Sequence, residues 1–252
     1  MPRIVLLNPG PVNVTDRVRK ALLLPDLCHR EKEFSMLMET IRKKLLKAFD
    51  IEKEYTSALV SGSGTAALEM AVSSSLSPGR SMLVIQNGVY GERISKICEV
   101  YQFRQHTIQL NWGEPPSLEN IENELKQNPD IEVVALVHHE TTTGLLNPLE
   151  EVGKLARRYE KVFLVDCISS LAGDEVDFTS IDLAVGTANK CLQGVPGVSF
   201  VLFRKKDLGR LIKIPARSLY FNLTEYHKAQ ELGKSLFTPA IPAHYALDVA
   251  LD

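Results

Sequence analysis

The chain has no apolar run approaching about eighteen residues, no excess charge of either sign, and no CxxC or HExxH spacing. Each absence removes a class of function. Without the apolar run there is no membrane-spanning helix, and the start MPRIVLLNPG has no signal-peptide layout. With 29 basic and 31 acidic residues the formal charge is -2, which gives no footprint for nucleic acid or an anionic membrane. The four cysteines (Cys28, Cys98, Cys167, Cys191) are scattered, as expected of reduced thiols in a cytoplasmic protein. The six histidines form no cluster beyond His138-His139, so no metal centre is expected. Internal repeats and low-complexity linkers are also missing. What remains is an ordinary soluble composition, 44% hydrophobic over 252 residues and long enough for a sizeable core.

Short apolar strands alternate with amphipathic helices. Strands are expected at residues 56–60, 82–85, 106–110, 133–137, 162–165, 181–185 and 198–203. Helices are expected at 16–23 (N-capped by Thr15), 31–49, 65–75, 90–100, 118–127 and 149–159. That alternation predicts an α/β fold, with a mainly parallel sheet covered by helices on both faces. Residues 1–14 read as an extended segment, because Pro9-Gly10-Pro11 cannot continue a helix. Beyond Arg204 the pattern weakens. A helix begins near His244 and the sequence ends inside it without a cap, as expected of a shortened polypeptide.

The chemistry gathers at strand ends. Ser61-Gly62-Ser63-Gly64-Thr65-Ala66-Ala67 lies between a strand and a helix, where small residues and free N–H groups can cradle a phosphate. The same letters satisfy GxGxxA. A dinucleotide site, however, needs an acidic residue at the end of the next strand, and that strand ends Ile85-Gln86-Asn87-Gly88. Asp166 ends the strand Val162-Phe163-Leu164-Val165, where open α/β sheets bind ligands. Taken alone it serves equally well as a helix cap. Thr141-Thr142-Thr143 follow another strand and offer hydroxyls; Tyr90 offers a flat ring. Lys190 stands between two apolar runs, where burial favours loss of its proton and a nucleophilic amine. A phosphate cradle, an aromatic, a carboxylate and a lysine on one rim are the equipment for pyridoxal 5'-phosphate (PLP).

The segments LNPGPV, SGSGTAALE, NGVYGER, HHETTTGLLNPLEEVG, VDCISS and TANKCLQGVPG resemble the class V aminotransferases over essentially the whole chain. The resemblance implies a three-layer αβα sandwich around a mixed sheet of about seven strands, the large domain of PLP-dependent transferase fold type I. It implies a homodimer with sites at the interface. Lys190 would be the internal aldimine lysine and proton carrier, and Asp166 the partner of the ring nitrogen. Tyr90 would stack on the ring; Ser63, Gly64, Thr65 and Asn189 would hold the phosphate. Thr142 or Thr143 would approach the ring hydroxyl, and Thr238 the phosphate of the partner subunit's cofactor.

The activity so implied moves the amino group of 2-aminoethylphosphonate to pyruvate, giving phosphonoacetaldehyde and alanine. An alanine– or serine–glyoxylate transaminase is the in-family alternative, and a PLP-binding chain with little activity is another. Residues 15–252 would form the PLP-binding domain. The small C-terminal domain, with the arginine that clamps the substrate's acid group, is expected to be absent. Arg93 and Arg217 are cations that match no such motif.

Overall fold

A computed structural model describes residues 4–252, so residues 1–3 of the expected extended segment 1–14 lie outside the described residues. Helices α1 (Asp16–Ala21) and α2 (Lys32–Ala48) precede the first strand, and the Thr15 hydroxyl accepts the Val18 amide as the cap of α1. The sheet is built from β1 (Tyr55–Gly62), β2 (Ser81–Gln86), β3 (Arg104–Gln109), β4 (Ile131–Val137), β7 (Val162–Asp166), β8 (Leu183–Thr187) and β9 (Gly197–Arg204). A small hairpin, β5 (His139–Glu140) with β6 (Leu145–Leu146), branches off beyond β4. The intervening helices are α3 (Gly64–Ser75), α4 (Val89–Val100), α5 (Leu118–Gln127) and α6 (Leu149–Arg158). After β9 come α7 (Leu208–Leu211), α8 (Leu223–Glu231) and α9 (Ile241–Ala250).

The seven strands lie in the order β1-β9-β8-β7-β4-β2-β3. Strand β9 runs antiparallel to both its neighbours, and every other pairing is parallel. Because the sheet is covered on both faces, its central strands are continuous apolar runs whose side chains divide alternately between two cores. Val134 and Leu136 of β4, with Phe163 and Val165 of β7, join Phe34, Ile41 and Leu45 of α2 and Val152 of α6. Val133, Ala135, Leu164 and Val185 turn to the other face, against Leu68 and Val72 of α3, Ile94 of α4 and Tyr226 of α8. The fold is therefore the expected α/β sandwich with a mixed sheet.

The β5–β6 hairpin and α7 were not anticipated, α9 begins at Ile241 and not near His244, and two further departures have a plain physical cause. The strand expected at 181–185 begins two residues later. The Ile181 carbonyl is instead taken by the Tyr55 hydroxyl and, at 2.8 Å, by the Arg204 guanidinium. Helix α8, not anticipated, is capped by Asn222, whose side-chain oxygen accepts the Glu225 amide at 3.2 Å.

Parallel pairing places the C-terminal ends of β1, β2, β4, β7 and β8 on a single edge of the sheet. The first residues after each strand are Ser63, Asn87, His138, Cys167 and Ala188, so the candidate site residues project from one rim. Among the described residues, no helix is long and apolar enough to cross a membrane, and no group of three or more metal-ligating side chains converges.

Candidate active site

Lys190 follows β8 in a tight turn held by Gly194 N donating to Ala188 O at 2.8 Å and Gln193 N to Lys190 O at 2.9 Å. The lysine is only 9% exposed. Its Nζ donates to Pro9 O at 3.4 Å, and Val12 N donates to Asn189 O at 3.3 Å, so the N-terminal segment lies over the lysine turn. Gly10 makes that approach possible. A Cβ there would sit 2.4 Å from Lys190 Cδ, and its φ of +150° suits only glycine. Burial lowers the pKa of the Lys190 ammonium; Asp166 and Cys191 oppose the shift, and Arg93 adds to it.

Asp166 ends β7 at 2% exposure. Its Oδ1 accepts the Ile168 amide at 2.9 Å, while its Oδ2 is buried without a partner among the described residues. Desolvation pushes this carboxyl up to about 6, with Glu140 adding to the shift and Arg93 and Lys190 opposing it. A carboxylate so placed is short of one donor.

The cradle at α3 is open. Ser63 occupies the cap position yet makes no side-chain capping bond, and its residue is exposed. Ala66 N turns back to Ser63 O at 2.8 Å; among the described residues the Gly64 and Thr65 amides find no acceptor. Arg93 Nη1 donates to Thr65 Oγ1 at 3.1 Å, and its guanidinium lies 4.5 Å from the centre of the Tyr90 ring. One cation thus joins the cradle to the aromatic. A chain of side chains also ties the cradle to the lysine turn. Thr187 Oγ1 donates to Asn189 Oδ1 at 2.9 Å and lies 3.2 Å from Ser199 Oγ, and Ser199 donates to Gly62 O at 2.9 Å.

The three threonines separate. Thr141 Oγ1 bonds Ser169 Oγ, on the turn that carries Asp166. Thr142 is exposed and donates to Glu140 Oε1 at 2.8 Å; Thr143, also exposed, accepts the Leu145 amide at 3.4 Å. The hydroxyl facing the Asp166 turn is therefore that of Thr141, whereas that of Thr142 also accepts the Val89 amide at the start of α4, at 3.3 Å, and that of Thr143 is engaged within its own loop. Thr238 is exposed, on the segment that leads Ala240 N to Ser61 Oγ at 2.9 Å, and makes no hydrogen bond among the described residues. Arg217 lies outside this group, with Nη1 on Ser73 O at 3.1 Å and its guanidinium 4.7 Å from the Phe103 ring centre.

The sequence reading offered Thr141 as one of three hydroxyls and Arg93 as a cation without a motif, and it gave no role to Glu140, Thr187 or Ser199. The Asn87-Asn147 pair was also missed. Asn147 Oδ1 accepts from Asn87 Nδ2 at 2.8 Å, and Asn147 Nδ2 donates to Val137 O at 2.8 Å, which fixes the ends of β2 and β4 together. The signal available was position alone: Asn87, Glu140, Asn147 and Thr187 each end a strand or directly follow one.

One rim of an α/β sheet thus carries a buried lysine, a buried carboxylate oxygen without a partner among the described residues and an open helix start able to receive an anion. Residues 20–252 match the class V aminotransferase family, and the chain belongs to it. It is 36% identical over 243 residues to the 2-aminoethylphosphonate–pyruvate transaminase of Vibrio vulnificus, a match covering 95% of this chain and 66% of that protein. It is 38% identical to the bifunctional phosphonoacetaldehyde hydrolase/aminoethylphosphonate transaminase of Clostridioides difficile, of which it covers 38%. The chain thus spans two thirds or less of the length of these relatives. Among solved structures, the alanine–glyoxylate aminotransferase of Nostoc superposes with a TM-score of 0.92 at 31% identity, covering 100% of this chain and 67% of that one.

Proposed function

We propose that this chain binds pyridoxal 5'-phosphate and serves a transaminase that takes the amino group of 2-aminoethylphosphonate and gives it to pyruvate. The observation that carries the cofactor reading is Asp166. Its buried, partnerless Oδ2 is matched by the protonated nitrogen of a pyridine ring, and few other ligand groups would suit an anionic oxygen at the end of a parallel strand. The choice of amino donor is supported by the relatives in Vibrio vulnificus and Clostridioides difficile.

The residues present fit the group. Ser63, the Gly64 and Thr65 amides and the start of α3 would hold the phosphate, with Asn189 beside them. Tyr90 would lie on the ring, and Thr141, rather than Thr142 or Thr143, would approach the ring hydroxyl. Bound there, PLP supplies an aldehyde that captures amines and a ring that accepts an electron pair from the substrate carbon.

Lys190 has two tasks. Its desolvated Nζ would be the amine that holds the cofactor. The same Nζ, once free, would serve as the base that takes the proton from the substrate's amine-bearing carbon and as the acid that gives it back. Asp166 would hold the protonated ring nitrogen through its free Oδ2. Both groups are buried, which keeps bulk water away from them. Thr238, exposed and free of intrachain hydrogen bonds, is available to a partner's phosphate.

A visible spectrum of the PLP-loaded protein tests the proposal. The absorbance band of the lysine-bound cofactor is expected to disappear on adding 2-aminoethylphosphonate and to return on adding pyruvate. Bleaching by alanine or serine but not by 2-aminoethylphosphonate would select the glyoxylate-type alternative. A bound band that no amino donor bleaches would leave a cofactor-binding chain without transaminase activity.

A further inference from the structure

Glu140 is 0% exposed, and no cation pairs with it among the described residues. A buried carboxylate without a counter-ion is costly, so its partners matter. All are N–H or O–H donors. Oε2 accepts Tyr90 N at 3.2 Å and Gly91 N at 3.3 Å; Oε1 accepts Thr142 N at 3.2 Å and Thr142 Oγ1 at 2.8 Å. Tyr90 and Gly91 belong to the first turn of α4, whose own cap residue is Gly88 and offers no side chain. A Cβ on Gly88 would lie 2.4 Å from Glu140 Cδ. The β5–β6 hairpin therefore caps α4 from outside, and the glycine is the space that the cap fills.

This arrangement is specific to a carboxylate. Both oxygens face donors, so an amide at position 140 would turn its NH2 against backbone N–H groups and leave some of them unpaired. The charge is also placed where it acts at a distance. Glu140 faces the positive end of α4 and stands two residues beyond His138, whose amide donates to Asp166 O at 3.0 Å, so it adds to the upward shift of the Asp166 carboxyl, while Arg93 and Lys190 oppose it.

We infer that Glu140 is a positioning residue. It fixes Tyr90 by capping α4, and it sets a second negative charge behind Asp166 that tightens this carboxylate's hold on a protonated ring nitrogen. The inference rests on the cofactor reading above. Two negative charges favour a nearby proton more than one does, so the Asp166 oxygen is more basic with Glu140 present. Simple capping would affect every ligand of the pocket alike; the charge effect discriminates by ring nitrogen.

The test compares binding of PLP with binding of its 1-deaza analogue, in which a C–H replaces the ring nitrogen, to the wild-type chain and to Glu140→Gln. Wild type is expected to prefer PLP. E140Q is expected to lose roughly fivefold to tenfold of that preference, corresponding to about one pH unit in the basicity of the Asp166–ring pair. An unchanged preference, with both ligands weakened equally, would reduce Glu140 to a helix cap and overturn the inference. Glu140→Asp keeps the charge and serves if E140Q does not fold. It is expected to retain the preference within about twofold, and losing it would equally overturn the inference. Failure of the wild-type chain to bind PLP at all would instead contradict the cofactor reading, and so is a separate result.

Discussion

Lys190→Ala protein mixed with PLP is expected to show only the spectrum of the free aldehyde and to transfer no amino group at a measurable rate. Two losses combine. Without Nζ there is no amine to hold the aldehyde carbon. There is also no base at the only point from which the substrate's proton can be both removed and returned. A positioned acid–base group alone contributes about 10²- to 10⁴-fold in rate, so the half-reaction with any donor is expected to slow by at least that factor. The fold itself is expected to survive. The lysine makes one long hydrogen bond, to Pro9 O at 3.4 Å, and lies at the rim rather than within either core. Near-native thermal unfolding with no lysine-bound absorbance is the expected pair of observations. Normal absorbance in K190A would remove the lysine from its role.

Asp166→Asn is expected to strengthen the cofactor-free protein and weaken the loaded one. The carboxyl, ordinarily near 3.8, is raised to about 6 in the fold because it is desolvated and lies near Glu140. Between those values the folded protein keeps a proton that the unfolded chain has released. Folding is thus favoured by acid, and this contribution is lost as pH rises from about 4 through about 6. It amounts to about 3 kcal/mol once the group is ionised. D166N removes the buried charge, so the apo protein is expected to gain about 1–3 kcal/mol at pH 8 and to lose that pH slope, as read from urea midpoints at several pH values. Affinity for PLP is expected to fall by about a hundredfold or more, because an amide cannot stabilise a protonated ring nitrogen. A destabilised apo D166N with unaltered affinity would contradict this assignment.

This opposition between stability and binding explains which parts of the molecule were legible in the sequence. The sheet was, because strands buried on both faces leave continuous apolar runs, as in Val133–Val137 and Val198–Phe203. Asp166 and Lys190 stood out because a charge beside such a run breaks the local rule. Glu140 did not, although it is fully buried. Next to three threonines it reads as part of a polar turn, and only the fold brings the start of α4 against it. The Thr187–Ser199–Gly62 relay was hidden for the same reason. Its members lie on β8, β9 and β1, which become neighbours only because β9 runs antiparallel between the other two. Helix α8 was obscured by composition: Leu223 and Tyr226 are its main buried apolar residues, and Gln230 is buried for its hydrogen bonds to the Leu59 backbone. Position along a strand marked out Asp166 and Lys190, but the residues packed around them depend on contacts across the sheet.

The central claim is that Lys190 is the residue that holds the cofactor. The direct measurement is to load the protein with PLP, reduce it with borohydride, digest it and find the modified lysine by mass. The account predicts a single adduct on the peptide containing Asn189-Lys190-Cys191. An adduct spread over surface lysines, or fixed on any lysine other than Lys190, would contradict it.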